Sequence, residues 1–256
     1  MPETKDVNSG ILVDVDTGRV LWSLNPHRAV PIASMSKMMT LLVALETIEF
    51  HHIPLSRTVT VSNSAVQVTP TIAGLRPKDQ LTLASLLQST IVKSANDCAQ
   101  MTAEFFGGGK AAPFIAAMNR KAKALGMSQA VFFNPHGLPA QQNNRASCEE
   151  MVRLGTALMQ HPLAREWVSR QKITFTKKGA KSVLFYNHNR LLKSKQCPGV
   201  NGIKTGFTQR AGFCITANCE RDNHHLMAVV TGCPSQRDRD SLVKKLFNWG
   251  FRRLDK

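Results

Sequence analysis

The spacing of hydrophobic positions changes character twice along this chain. Near the start, residues 11–15 and 19–22 are mainly apolar or β-branched, broken by Asp14 and opened by Arg19, with the polar triplet Asp16-Thr17-Gly18 between them. Two short extended runs around a turn signal predict a β-hairpin. The next apolar stretch, 38–48, is almost continuous. It falls well short of the roughly 18 residues that span a bilayer, so it predicts a helix buried in a core.

From about 56 to 170 the period is helical. Residues 81–92 predict an apolar helix that follows the polar pair Asp79-Gln80, and 96–106 predict another, stopped by Gly107-Gly108-Gly109. A third covers 113–125 and stops at Gly126; a fourth opens at Ser147, with Glu149 and Glu150 behind it, and runs to about 160. After 170 the texture becomes that of strands. Residues 173–175 and 183–185 flank Lys178-Gly179-Ala180 as a hairpin, and 202–205 predict a further strand. Two more, 213–218 and 226–230, are joined by the polar Glu220-Arg221-Asp222-Asn223. A last amphipathic helix over 240–252 would cover the sheet.

Strands from both chain ends, with helices between them, predict an α+β fold. It has one antiparallel sheet flanked by helices, an inserted mostly helical lobe, and a cleft between lobe and sheet. The expected organisation is one domain over 1–256. Its sheet region is roughly 1–35 and 171–256, and its helical region roughly 36–170.

Composition narrows the classes. Hydrophobic residues make up 43% of the 256, enough for a real core. Net charge is +16, which favours anionic surroundings such as a phosphate-bearing wall polymer or a membrane surface. Nucleic acid is not an expected partner, because one Tyr and scattered bases supply no stacking platform. Six cysteines contain no C-x-x-C pair, so they read as buried apolar residues or free thiols and no metal site is expected. No cofactor is expected either. Residues 1–6 carry no apolar core of a signal peptide.

Three motifs carry the chemistry: Ser34-Met35-Ser36-Lys37, Ser94-Ala95-Asn96 and Lys204-Thr205-Gly206. S-x-x-K alone arises about once by chance in a basic chain of this length; the order of all three is far rarer. Ser34 and Lys37, three apart at a helix start, share one face, and Ser34 holds a position where Ser is favoured as a cap. A serine hydroxyl needs a base within reach, and a lysine whose pKa is lowered by burial supplies one. His136 invites a Ser–His reading, but it sits in the scaffold-like run Asn134-Pro135-His136-Gly137-Leu138. Arg237-Asp238-Arg239 reads as a solvated charge run.

With Pro31-Ile32-Ala33 before the first motif, Asn201-Gly202-Ile203 before the third and Phe207-Thr208 after it, the chain resembles the low-molecular-mass penicillin-binding proteins. These are the serine D-alanyl-D-alanine carboxypeptidases, and the resemblance runs from about 10 to 250. It implies that Ser34 is the nucleophile, Lys37 the base, and Ser94 a proton relay to the leaving amine. It also implies that Asn96, Lys204, Thr205, Gly206 and Phe207 bind substrate. Asn96 would hold Lys37 and the substrate backbone, Thr205 the substrate carboxylate, and Gly206 would let the substrate approach. The N–H groups of Ser34 and Phe207 would form the oxyanion hole. The implied partners are peptidoglycan stem peptides ending in D-Ala-D-Ala and β-lactam antibiotics, in the extracytoplasmic space. Longer relatives add a C-terminal β domain and a membrane anchor, which this chain is expected to lack. The alternatives are a D,D-endopeptidase, a β-lactamase and a non-catalytic cell-wall-binding protein. The E-x-x-x-N that holds the deacylating water in class A β-lactamases occurs nowhere in the chain.

Overall fold

The computed structural model describes residues 7–254; the N-terminal reading over 1–6 lies outside them. The predicted first hairpin forms as β1 (Ser9–Asp14) and β2 (Val20–Leu24). It joins the C-terminal strands β9 (Val200–Thr208), β10 (Gly212–Arg221) and β11 (His224–Cys233). Together they make one antiparallel sheet in the order β2-β1-β11-β10-β9. Asp222 and Asn223 link β10 to β11 with φ of 46° and 63°. Both residues of the link are thus left-handed, the twist that a two-residue hairpin needs and that Asp and Asn tolerate.

Period-two alternation divides the core in two. In β11, Leu226, Ala228 and Val230 face one cluster and Met227 and Val229 the other; in β1, Leu12 faces the first and Ile11 and Val13 the second. The first cluster is closed by α7 (Gln236–Leu254), through Leu242, Val243, Leu246 and Phe247. The second is closed by the helical lobe. Its centre is α1 (Lys37–Phe50), the predicted apolar run, whose residues 37–45 are all buried. Around α1 pack α3 (Asn96–Phe106), α4 (Ala111–Ala124) and α5 (Cys148–Gln160). Ser147 and Glu150 close a capping box at the head of α5.

The structure corrects the sequence reading in three places. The stretch 81–92 is not one helix. It divides into β5 (Gln80–Thr82), which pairs with β4 (Thr58–Thr60), then α2 (Leu83–Gln88), then a π-helical turn Ser89–Lys93. A further helix, α6 (Pro162–Ser169), has Pro162 at its first turn, and its buried face is only Ala164, Trp167 and Val168. That is too short a pattern to read from periodicity. Ser34 does not cap α1: it lies inside a 3₁₀ turn, Ala33–Ser36, whose preceding residue Ile32 makes no side-chain cap. The hairpin β7 (Lys172–Phe175) and β8 (Val183–Tyr186) forms as predicted. Among the described residues no helix is long and apolar enough to cross a membrane.

Candidate active site

The cleft between lobe and sheet has a volume of about 510 Å³. Its lining includes Ser34, Ser94, Asn96, Thr205, Gly206 and Phe207, so residues from all three motifs converge there although up to 172 positions separate them.

On the lobe side, the 3₁₀ turn presents Ser34, and the first residue of α1 is Lys37. Lys37 is fully buried, and its Nζ lies 3.0 Å from Ser34 Oγ, 2.6 Å from Asn96 Oδ1 and 2.7 Å from the carbonyl oxygen of His136. A cation is costly to bury. Burial therefore holds the Lys37 amine well below the ordinary lysine range, and the nearby Lys204 lowers it further against the opposing charge of Asp97. Ser36, the other hydroxyl of the turn, is buried and donates to Ala33 O at 2.7 Å.

Asn96 opens α3. Its amide nitrogen donates to Pro70 O, and its oxygen is thereby aimed at Lys37. Ser94 precedes it with a φ of 62°, a left-handed turn that carries its side chain into the cleft wall. The structure gives Lys37 three partners, and Ser94 is not among them. Sequence reasoning missed Asp97. Its buried carboxylate accepts from the N–H groups of Ala73, Gly74 and Leu75 at 2.9–3.1 Å, fixing the loop that carries Pro70 and Thr71 into the cleft. Its position in the first turn of α3 was the available signal.

His136 contributes its backbone. Its ring Nδ1 accepts from the Leu138 N–H at 3.1 Å, and burial, then Lys37, push the imidazole down to about 3. Asn134 Oδ1 accepts from the Gly137 N–H at 2.6 Å and shapes the loop. Gly137 has a φ of 85°, and a Cβ there would sit 1.9 Å from Ala33 O, so the loop packs against the nucleophile's turn with no room for a side chain.

On the sheet side, β9 forms the edge. Lys204 is buried and donates to Thr205 O at 3.0 Å. Burial, then Arg239, bring its amine down to about 7. Gly206 also has a reason within the fold to lack a side chain. A Cβ there would meet Ile32 O at 3.0 Å and Ser34 N at 3.1 Å, so the missing side chain lets β9 abut the nucleophile's own backbone. Phe207 is half exposed and stacks on Phe213 with ring centroids 4.2 Å apart.

The solvated reading of 237–239 fails at its last residue. Arg239 is 3% exposed, lines the cleft, and donates to Asp240 Oδ1 at 2.7 and 2.9 Å. As part of α7 it lies on the face turned to the sheet, which a reading of local charge could not anticipate. His188 also lines the cleft, and burial with the surrounding cations brings it down to about 4. The six cysteines are buried free thiols. Among the described residues no group of His, Cys, Asp and Glu could hold a metal ion.

The architecture is that of the penicillin-binding proteins. The solved structure of penicillin-binding protein D2 from Listeria monocytogenes in its ampicillin-bound form superposes with a TM-score of 0.86 at 26% identity, covering 98% of this chain and 100% of that one. The family model of the D-alanyl-D-alanine carboxypeptidases matches residues 2–235, and the chain belongs to that family. It is 30% identical over 246 residues to D-alanyl-D-alanine carboxypeptidase DacF of Bacillus subtilis and 33% identical over 253 residues to DacC of Escherichia coli. Each match covers 96% of this chain but 62% of the relative's length.

Proposed function

We propose that this chain is a serine D,D-carboxypeptidase that removes the terminal D-alanine from peptidoglycan stem peptides in the extracytoplasmic space and is acylated by β-lactams. The observation that carries the proposal is the setting of Lys37: a buried amine with lowered proton affinity, 3.0 Å from the only cleft-lining hydroxyl in its own turn. A neutral amine has two N–H groups and one lone pair. Asn96 Oδ1 and His136 O accept the two N–H groups, which leaves the lone pair for the Ser34 hydroxyl.

Ser34 Oγ attacks the carbonyl between the two D-alanine residues while Lys37 takes its proton. The N–H groups of Ser34 and Phe207 stabilise the oxyanion, and the contact of Gly206 with Ser34 N supports their proximity. D-alanine leaves as an amine that receives its proton by way of Ser94, and water then hydrolyses the ester. The substrate carboxylate is met by the Thr205 hydroxyl, with Lys204 and Arg239 supplying positive potential. Asn96 and Phe207 border the peptide. The charge of +16 would hold the protein near anionic wall polymer or a membrane surface.

The test is D-alanine release from a stem-peptide mimic ending in D-Ala-D-Ala, beside a cross-linked dimer of the same peptide. Release from the mimic, reduced to background in Ser34→Ala, is the expected result. Cleavage of the dimer alone would make the protein an endopeptidase, and undiminished release by Ser34→Ala would overturn the proposal.

A further inference from the structure

Two of the six thiols are held together at the start of the strand that carries Lys204, Thr205 and Gly206. Cys197 sits in the loop between the short 3₁₀ turn Arg190–Lys193 and β9; Cys219 lies in β10, beside Val200 of β9 in the strand register. The two sulfur groups flank one loop residue, Pro198, and one side chain, Arg221. Cys219 Sγ also donates to Pro198 O at 3.3 Å, and Arg221 grips the same loop, with Nη2 3.2 Å from Cys197 Sγ and Nε 2.8 Å from Pro198 O.

The other four thiols differ. Cys148 touches the Ser9 hydroxyl, Cys214 donates to the Ala211 carbonyl, and burial raises Cys148, Cys214 and Cys233 to between about 11 and about 12. Cys98 is buried beside Asp97 and raised as well. At Cys197 the Arg221 guanidinium, with Nη2 beside the sulfur, favours the thiolate.

We propose that Cys197 and Cys219 form a disulfide by thiol–disulfide exchange, stapling the start of β9 to β10. The Cys197 thiolate attacks one sulfur of a small-molecule or protein disulfide; the other sulfur leaves as a thiolate and takes up the proton lost from Cys197. The Cys219 thiol then releases its proton and attacks Cys197 Sγ, expelling the second thiolate, which takes up that proton. Two electrons and two protons pass to the oxidant, which departs as two thiols. Both cysteines are buried in the core that α7 closes, so exchange takes place during folding, before α7 docks over the pair. The resulting ring encloses β9 with its three motif residues, and closing a loop of about 20 residues disfavours the unfolded chain. The staple depends on no choice of substrate.

The full chain is refolded with mixtures of oxidised and reduced glutathione, denatured, alkylated and mapped by mass spectrometry. The expected result is that two of the six thiols escape alkylation and that Cys197 and Cys219 are recovered as one cross-linked peptide. The oxidised form should melt about 8 °C above the reduced one, a difference abolished in Cys197→Ala/Cys219→Ala and retained in Cys98→Ala. Six alkylated thiols after oxidative refolding, or a link between any other pair, would overturn the proposal. So would an equal melting shift in the double variant.

Discussion

The two walls of the cleft are built in opposite ways. The sheet wall is a paired ladder: β9 pairs with β10 from Phe207↔Phe213 back to Gly202↔Asn218 without a break in register, with a cis peptide between Gly202 and Ile203. The lobe wall presents both of its cleft serines from irregular backbone. Ala33 and Ser94 are non-glycine residues in left-handed conformations, a 3₁₀ turn presents Ser34, and a π-helical turn delivers Ser94. Each wall buries one lysine. Lys37 is held by two amide-type acceptors beside a hydroxyl, whereas Lys204 has its own strand's carbonyl. Turns of left-handed and 3₁₀ backbone present Ser34 and Ser94, whereas a hydrogen-bonded ladder carries Lys204 and Thr205.

The largest expected effect breaks the reactive wall. Lys37→Ala should lower kcat by on the order of 10³–10⁴-fold with little change in KM. Thr205→Val on the sheet wall should raise KM about tenfold and leave kcat within a few-fold. Steady-state kinetics of D-alanine release separate the two, and a kcat loss at Thr205 equal to that at Lys37 would erase the distinction.

Packing gives the next contrast. Gly137→Ala forces a Cβ to 1.9 Å from a backbone oxygen at positive φ, so it should cost about 3 kcal/mol or more, roughly 10 °C in Tm. Gly206→Ala meets its nearest atom at 3.0 Å and should cost about 1–2 kcal/mol. Thermal melts that reversed this order would contradict the idea that the lobe loop is the tighter fit.

The smallest effect lies in the pH profile. Under the proposed mechanism Lys37 acts as the neutral amine, so the rate should fall as pH drops through its lowered pKa. Removing the neighbouring cation with Lys204→Met should raise that pKa and move the acidic limb to higher pH. In the native protein KM should rise above about pH 7 as Lys204 loses its charge, and this rise should vanish in Lys204→Met. Linkage adds a sign. The folded pKa of Lys204 lies below its unfolded value, so the unfolded chain binds more protons from about 7 to 10.5, and stability rises with pH across that window. A profile unmoved by Lys204→Met would remove Lys204 from the electrostatics of the site.

Much of this was legible beforehand, because the signals were local. The hairpin around Asp16-Thr17-Gly18, the stop at Gly107-Gly108-Gly109 and the apolar run of α1 each encode an element within a few residues. The motif trio likewise gathers at one cleft. What escaped depends on distant partners. The burial of Arg239 comes from the docking of α7, the support of Lys37 by the His136 carbonyl involves no side chain, and the role of Asp97 lies in three N–H groups 22–24 positions away. The packing of Gly206 against the backbone at Ser34 escaped as well, since no strand pattern reveals it.

The central claim is that Ser34 is a nucleophile activated by Lys37, and intact-mass spectrometry after addition of a penicillin tests it most directly. A long-lived adduct of one drug mass, absent in Ser34→Ala and slow to form in Lys37→Ala, is the predicted result. An adduct that persists in Ser34→Ala, or no adduct with the drug left intact, would contradict it.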